Sequence, residues 1–521
     1  MALPANRSSN ALAEKKSTGA SPSSPPPSPT NLTDLEKPIE VPIIRDFAPT
    51  QTVLPAALDW TDPKDPENPL NWPLSSRIYH TTIPALMGFS TTFASSVYVP
   101  GISTLRSEFH ISQTAALLGL SLYTLGLGFG PVLAAPLSET LGRRAVYFTS
   151  FPLGALFILG AGLSQTFASL LVCRFFAGFF GSAVLAIGAG TNADLWAPVH
   201  RAVATVLFLL APFAGPAMGP IVGGYAAQSK GWRWTEWSVL MVSAAVLLYS
   251  LGMKETYKKV ILEKRAKKLE IETQVNAGPS GWAAVKVLLT VTLFRPVYML
   301  ATEPIVTFLS LYISFNFSVL FGFFDAFPIV FQGVYHFSLG ESGLPWLAVL
   351  TGCILSVATI IIIDRLTFRK EFARSHREGR EGLVAPEHRL YGAMMGSLGL
   401  PVGLFWFAWS ARSDVHWISP ALAAIPFAWG NLSVFCAAAL YLVDTYGPRT
   451  GASAMAANGM LRYTSGAAFP LFTVQMYNRL GISWATSLLG FLSLALLPIP
   501  WILFKYGARI RAKSKFETIR A

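Results

Sequence analysis

Charge is scarce in this chain. Asp, Glu, Lys and Arg make up 13% of its 521 residues, against 52% hydrophobic residues, whereas a soluble domain carries roughly 25% charge. A soluble fold cannot bury that much apolar matter, so lipid has to be part of the solvent. Cysteine is scarcer still. Cys173, Cys353 and Cys436 all lie in apolar stretches, where each behaves as a small hydrophobe, and no disulfide framework can be drawn from them. The chain has no metal-ligand cluster, no phosphate-binding loop and no nucleophile and base set at a membrane face, so neither an enzyme nor a cofactor is expected. The formal net charge is +12, but Lys and Arg alternate with long apolar spans instead of gathering on one face, which argues against nucleic acid.

The first 70 residues contain no sustained apolar run. Residues 21–30, SPSSPPPSPT, form a Pro/Ser tract that cannot offset its ordering entropy by burial, so a disordered cytoplasmic tail is expected over 1–70. No basic region followed by an apolar core opens the sequence, and the first span is therefore expected to act as an uncleaved insertion signal.

A bilayer core takes about 20 mostly apolar residues per helix. Six such runs lie near 78–100, 114–136, 145–164, 167–194, 202–227 and 237–253. Six more lie near 298–323, 344–363, 391–410, 419–442, 453–477 and 483–504. The pattern predicts an all-α integral membrane protein of twelve spans. It divides into an amino-terminal half over 71–253, a cytoplasmic central loop over 254–297, a carboxyl-terminal half over 298–504 and a basic tail over 505–521.

The 40 Lys and Arg fix the orientation. Only Arg106, Lys230, Arg233, Arg412 and Arg479 fall in the outer connections, and Arg174 and Arg462 fall within spans. All the others lie on the side of the termini, which the positive-inside rule makes the cytoplasm. In the central loop, KETYKKVILEKRAKKLE sets Val260, Ile261 and Leu262 among cations. It reads either as a helix along the inner leaflet or as a solvated linker. The loop over 364–390 is similarly charged and is expected to be less ordered.

Ionisable residues inside a span need a reason, because each costs about 2.5–3.5 kcal/mol to insert. Arg174, flanked by apolar residues in LLVCRFFAGFFGSA, is either a cation that changes partners as a proton comes and goes or a static anchor to carbonyls. Glu303 precedes Pro304 in the seventh span and is either a reversible proton carrier or a helix-end acid favoured by the macrodipole. Asp325 lies towards the outer end of the same span. Asp194 and Asp444, at the inner ends of the fourth and tenth spans, read as loop-capping or gating acids, and Arg462 could pair with either set. In the fifth span Gly215, Gly219, Gly223 and Gly224, with Pro216 and Pro220, make a flat strip for close packing that could change between two conformations. Glu139, followed by Gly142, Arg143 and Arg144 across a tight turn, suggests an ion-pair latch.

These segments resemble the major facilitator superfamily. APLSETLGRR at 135–144 is similar to the signature between its second and third helices, with Leu137, Gly142 and Arg143 in place and departures at Ala135, Glu139 and Thr140. LVCRFFAGFFG resembles the helix 4 motif, with Arg174 in the arginine place, Gly178 after it and Ala177 where glutamine is usual. GPIVGG, that is Gly219, Pro220, Gly223 and Gly224, matches the helix 5 motif of proton-driven exporters throughout. DPENPLNW, EPIV, PEHRL, GLFWFAW and SAMAANGMLRY look like segments of the fungal twelve-spanner drug:proton antiporters. The resemblance implies two pseudo-symmetric six-helix halves that rock about a central site, with inward proton flow driving export of drugs, toxins, secondary metabolites or polyamines. It also implies a monomer in the plasma membrane whose partners are protons, a small molecule and the bilayer. A proton-coupled importer of a polyamine or an organic acid on the same fold is the competing reading. Aromatic runs at Phe175, Phe176, Phe179 and Phe180, at Phe321, Phe323 and Phe324, and at Trp406 and Trp409 are candidate walls of a cavity for flat, apolar or cationic molecules, or else ordinary lipid-facing side chains.

Overall fold

Backbone amides have no water to bond with in hydrocarbon, so long apolar runs satisfy themselves as helices. The computed structural model describes residues 59–269, 290–379, 384–516 and 518. The expected tail over 1–58 lies outside these residues. Within them twelve helices cross the bilayer: α1 Leu74–Ser96, α2 Gln113–Leu141, α3 Arg143–Leu163, α4 Phe167–Leu195, α5 Pro198–Lys230 and α6 Arg233–Ser250, then α7 Pro304–Phe331, α8 Trp346–Leu366, α9 Tyr391–Ser410 and α10 Ile418–Gly447. Residues 448–480 form α11 and 482–511 form α12. Gly447 (φ 64°) and Gly481 (φ 73°) take left-handed backbone at the two junctions, a conformation that glycine adopts without the Cβ penalty.

Nine helices among the described residues qualify as spans on length and apolarity alone. The other three carry polar groups inside the bundle. In α1, Thr91 and Thr92 donate to the carbonyls of Met87 and Gly88, both at 3.0 Å, and Ser90 meets Ser243 of α6 at 2.8 Å. α6 holds Glu236 and α11 holds Arg462, both treated below. Large apolar side chains such as Leu156, Leu248 and Trp484 stand on the outside of the bundle, where only lipid suits them.

With an even number of crossings the described chain ends and the central segment share one face, here called the terminal face. At the far face the two halves are locked together. Gly340, between α7 and α8, donates its N–H to Gln228 Oε1 of α5 at 2.7 Å, and the side chains of Thr114 and Gln475 meet at 3.1 Å. Midway through the membrane Phe213 of α5 contacts Phe435 of α10, ring centroids 5.2 Å apart.

On the terminal face Asp59–Trp72 is ordered, so the tail expected up to residue 70 differs from what is found over its last residues. Arg265 donates to Asp65 at 2.7 Å and draws that segment onto a helix over Lys258–Lys268. That helix buries Val260, Leu262 and Ala266 against the protein, one of the two readings of its sequence in part: a helix forms, and protein covers those three apolar side chains. The loop over 364–390 is also more ordered than expected, because it contains a helix, Phe368–Arg377.

Candidate functional site

In the amino-terminal half, Arg174 projects from α4 into a fully enclosed site. Its Nη1 lies 3.2 Å from Glu236 Oε1 of α6 and donates to Ala94 O of α1 at 2.9 Å, while Nε donates to Gly119 O of α2 at 3.3 Å. The guanidinium is sandwiched by Tyr98 and Tyr123, 4.4 and 4.6 Å from their ring centroids. Those two rings are fixed by their own hydroxyls, which donate to Ala116 O and Thr91 O. One arginine thus joins α1, α2, α4 and α6 and lies nearer the far face. Glu236 is not among the residues singled out in the sequence because it falls one position before the apolar run near 237–253. The acid is in the first turn of α6 and wholly buried.

At the terminal face Arg143 stands 3.4 Å from Asp194 at the end of α4, donates to Ser138 Oγ at 2.5 Å and lies over the Tyr257 ring. The latch expected here is built with different acids. Glu139 is exposed and forms no ion pair among the described residues. Instead Glu255, just beyond α6, accepts the backbone N–H groups of Arg143 and Arg144 at 2.9 and 3.1 Å. A carboxylate there caps the amino-terminal end of α3, where unpaired N–H groups and the helix dipole favour negative charge. The guanidinium of Arg144 lies over Phe148.

The second half repeats the pattern. Arg389, just before α9, bonds Asp444 at the end of α10 at 2.8 Å and Asp364 at the end of α8 at 3.2 Å. Arg143 with Asp194 and Arg389 with Asp444 are therefore equivalent under the pseudo-symmetry of the halves.

Glu303 sits at the terminal face, at the break between a short helix, Arg295–Thr302, and α7. It is 2% exposed and its carboxylate accepts three bonds, from Tyr446 Oη (2.8 Å), Ser514 Oγ (2.8 Å) and the Lys515 N–H (3.0 Å). Arg511 binds Glu387 nearby. Glu303 thus clasps the segment after α12 through Ser514 and Lys515, and with Tyr446 three bonds engage both of its oxygens. Asp325 differs: it is buried in α7, and among the described residues it has neither an ion pair nor a hydrogen bond.

The helix 5 motif divides its work. A Cβ at Gly215 or Gly219 would overlap the hydroxyl of Thr92 or Ser96 in α1, and one at Gly223 the carbonyl of Val97 at the end of α1, all in the same half. Gly224 instead meets Leu339 O and Gly340 Cα of the other half, and the Pro220 carbonyl lies against Gly343. The strip therefore welds α5 to α1 on one side and forms the far-face seam between halves on the other.

Most of the expected aromatic wall is structural. Phe323 and Phe324 pack with Trp346, Phe407 and Phe427 in the carboxyl-terminal core, Phe176 stacks on Phe157 and Phe180, and Trp406 and Trp409 are exposed. The aromatic groups nearer the seam are Phe317, Phe435 and Tyr463, which gather around Arg462 of α11, and Phe213, which contacts Phe435.

Two pseudo-symmetric six-helix halves that meet in a seam of glycines, with charged latches at one face, define a membrane carrier. The chain belongs to the Major Facilitator Superfamily, whose family model matches residues 85–470, and within it to the fungal drug and metabolite efflux group. It is 40% identical to Polyamine transporter 4 of Saccharomyces cerevisiae, over 89% of this chain and 73% of that one. Its identity to the Citrinin biosynthesis cluster MFS transporter mrr1 of Monascus ruber is 40%, over 88% and 92%. With Efflux pump FUB11 of Gibberella moniliformis it is 41%, over 87% and 76%. The human organic anion transporter MFSD10 (TETRAN) shares the fold, with a TM-score of 0.55 at 16% identity, covering 82% of this chain and all of that one.

Proposed function

We propose that this protein is a proton-coupled efflux antiporter of the plasma membrane that carries small amphipathic molecules out of the cytoplasm by alternating access. Drugs, toxins, secondary metabolites and polyamines make up the range from which its cargo comes. The observation that carries the reading is the seam formed by Gly224 and Gly340 and by Pro220 and Gly343. Release at the far face requires that contact to part, while Gly215, Gly219 and Gly223 hold α5 to α1 so that the half moves as one body. Asp325 is the proton site of this reading, a buried acid with no fixed cation beside it among the described residues. Arg174 with Glu236 is the second ionisable element and links four helices of the moving half. Both halves of the pathway come from one chain, so a monomer suffices. The efflux names of relatives support the outward direction.

In this reading both termini are cytoplasmic, which the distribution of Lys and Arg supports. A tag at either end of the chain should be cut by a protease added to the cytoplasmic side, and protection there would reverse the topology. In inside-out vesicles, acidifying the lumen should drive accumulation of cargo, and a protonophore should abolish it. Cargo that moves in the same direction as protons would establish the importer instead.

A further inference from the structure

The two arginines that lie within spans are held differently. Arg174 has a carboxylate, two carbonyls and two tyrosine rings. Arg462 has rings alone: its guanidinium carbon lies 4.9 Å from the centroid of Phe317 in α7, 4.7 Å from Phe435 in α10 and 4.4 Å from its neighbour Tyr463. Among the described residues no acid pairs with it and no carbonyl accepts from its side chain, and its Nε is buried without a partner. Ring faces attract a cation, but they do not cancel its charge.

The cage sits where the halves touch in mid-membrane. Phe435 meets Phe213 of α5, and Tyr463 lies against Gly128 of α2. Phe317, Phe435 and Tyr463 are nearly buried, whereas Arg462 keeps partial exposure, so the side chain that remains reachable is the charged one. A cation in that position, without an acid partner among the described residues and bordering the path between the halves, is matched by an anion that arrives and leaves.

We infer that Arg462, Phe317, Phe435 and Tyr463 form the recognition site of the cargo and that the cargo is a flat organic acid. The guanidinium fork takes a carboxylate or ionised phenol through two N–H donors, and the rings take the planar body. A polyamine presents only positive charge and is disfavoured by the unpaired arginine. The inference rests on the transport part of the proposed function, and neither the direction nor the proton coupling enters it.

The test is equilibrium binding of three probes of one shape to the purified full-length protein: 2-naphthoate, 2-naphthylmethanol and 2-naphthylmethylammonium. The acid should bind at least about tenfold more tightly than the amine. Arg462→Gln should abolish that preference, and Phe435→Leu should weaken the acid and the alcohol alike. If Arg462→Gln does not fold, Arg462→Lys decides: it keeps the charge and loses the fork, so the acid should bind about fivefold more weakly yet still ahead of the amine. Amine binding equal to or tighter than acid binding in the wild type overturns the inference, as does undiminished acid preference in Arg462→Gln, unchanged acid affinity in Arg462→Lys, or displacement of naphthoate by equimolar chloride. Each of these results stands whether or not a pH gradient drives transport in vesicles, so failure here is distinct from failure of the antiport reading.

Discussion

Arg174 and Glu236 face each other at 3.2 Å with no exposed surface on either side chain. Withdrawing two charges from water is costly, and their attraction repays it only while both are present. Glu236→Leu alone should therefore destabilise the protein by about 3–5 kcal/mol, because it strands a buried guanidinium. The double variant Arg174→Met, Glu236→Leu should recover most of that loss. Unfolding midpoints in lipid nanodiscs measure both, and equal losses for the single and double variants would mean that the pair contributes no more than its packing.

Glu303 and Asp325 lie in the same stretch of chain and should behave in opposite ways. Glu303→Gln replaces one acceptor oxygen by a donor and cannot serve Tyr446, Ser514 and the Lys515 N–H together. Trypsin should then cut at Lys513 and Lys515 roughly tenfold faster, in line with the loss of about one to two hydrogen bonds to a charged group, while transport still responds to a pH gradient. Asp325→Asn should fold normally and carry cargo down its own gradient without responding to pH. A Glu303→Gln carrier that is blind to the gradient while its tail stays docked would move the coupling role to Glu303.

The helix 5 glycines separate stability from gating. Gly219→Ala and Gly223→Ala force a methyl into Ser96 and Val97 at the end of α1 and should cost about 1–3 kcal/mol each. Gly224→Ala presses instead on Leu339 and Gly340 across the seam, which should leave the unfolding midpoint nearly unchanged and hold the far face open. A cysteine placed at Leu339 would register this as faster labelling by a membrane-impermeant maleimide. Unchanged labelling would show that the seam yields to a methyl group.

Asp65 lies outside the spans, and the hydrogen bond from Arg265 holds its carboxyl down to about 2, below the ordinary Asp value of about 3.9. A depressed folded value stabilises the attachment above about pH 4, and that contribution is lost as pH falls towards 2. Pepsin cleavage between Trp60 and Leu70 should accelerate over this window, and Asp65→Asn should be cut readily throughout. Cleavage of the wild type at a constant rate would mean that other contacts hold the segment.

The twelve crossings were legible because apolar length is written directly in the sequence, and Arg174 stood out because a charge amid phenylalanines has few explanations. What failed was partner choice. Glu139 was adjacent in sequence to Arg143, yet the acids that bind Arg143 come from positions 194 and 255. Glu303 resembled an acid inside a span, and its donors lie 143 to 212 residues away in the chain. Glu236 was hidden by a boundary shift of a few residues, enough to put a buried acid into an apparent loop. Hydropathy reports depth in the membrane but not which helices are neighbours.

That no acid among the described residues pairs with Arg462 also has an electrical meaning. With an anionic cargo in place the site is neutral, and without it the site carries one positive charge. Membrane voltage acts on charge at about 2.3 kcal/mol per 100 mV for full passage, so at this site it bears on the empty arginine and not on the neutralised pair. A negative interior pulls an unoccupied Arg462 towards the cytoplasm, the side on which an exporter must reload, and with Asp325 protonated on that stroke nothing offsets the pull. On the outward stroke the charge that feels the voltage is that of the ionised Asp325, and a negative interior pushes it outward.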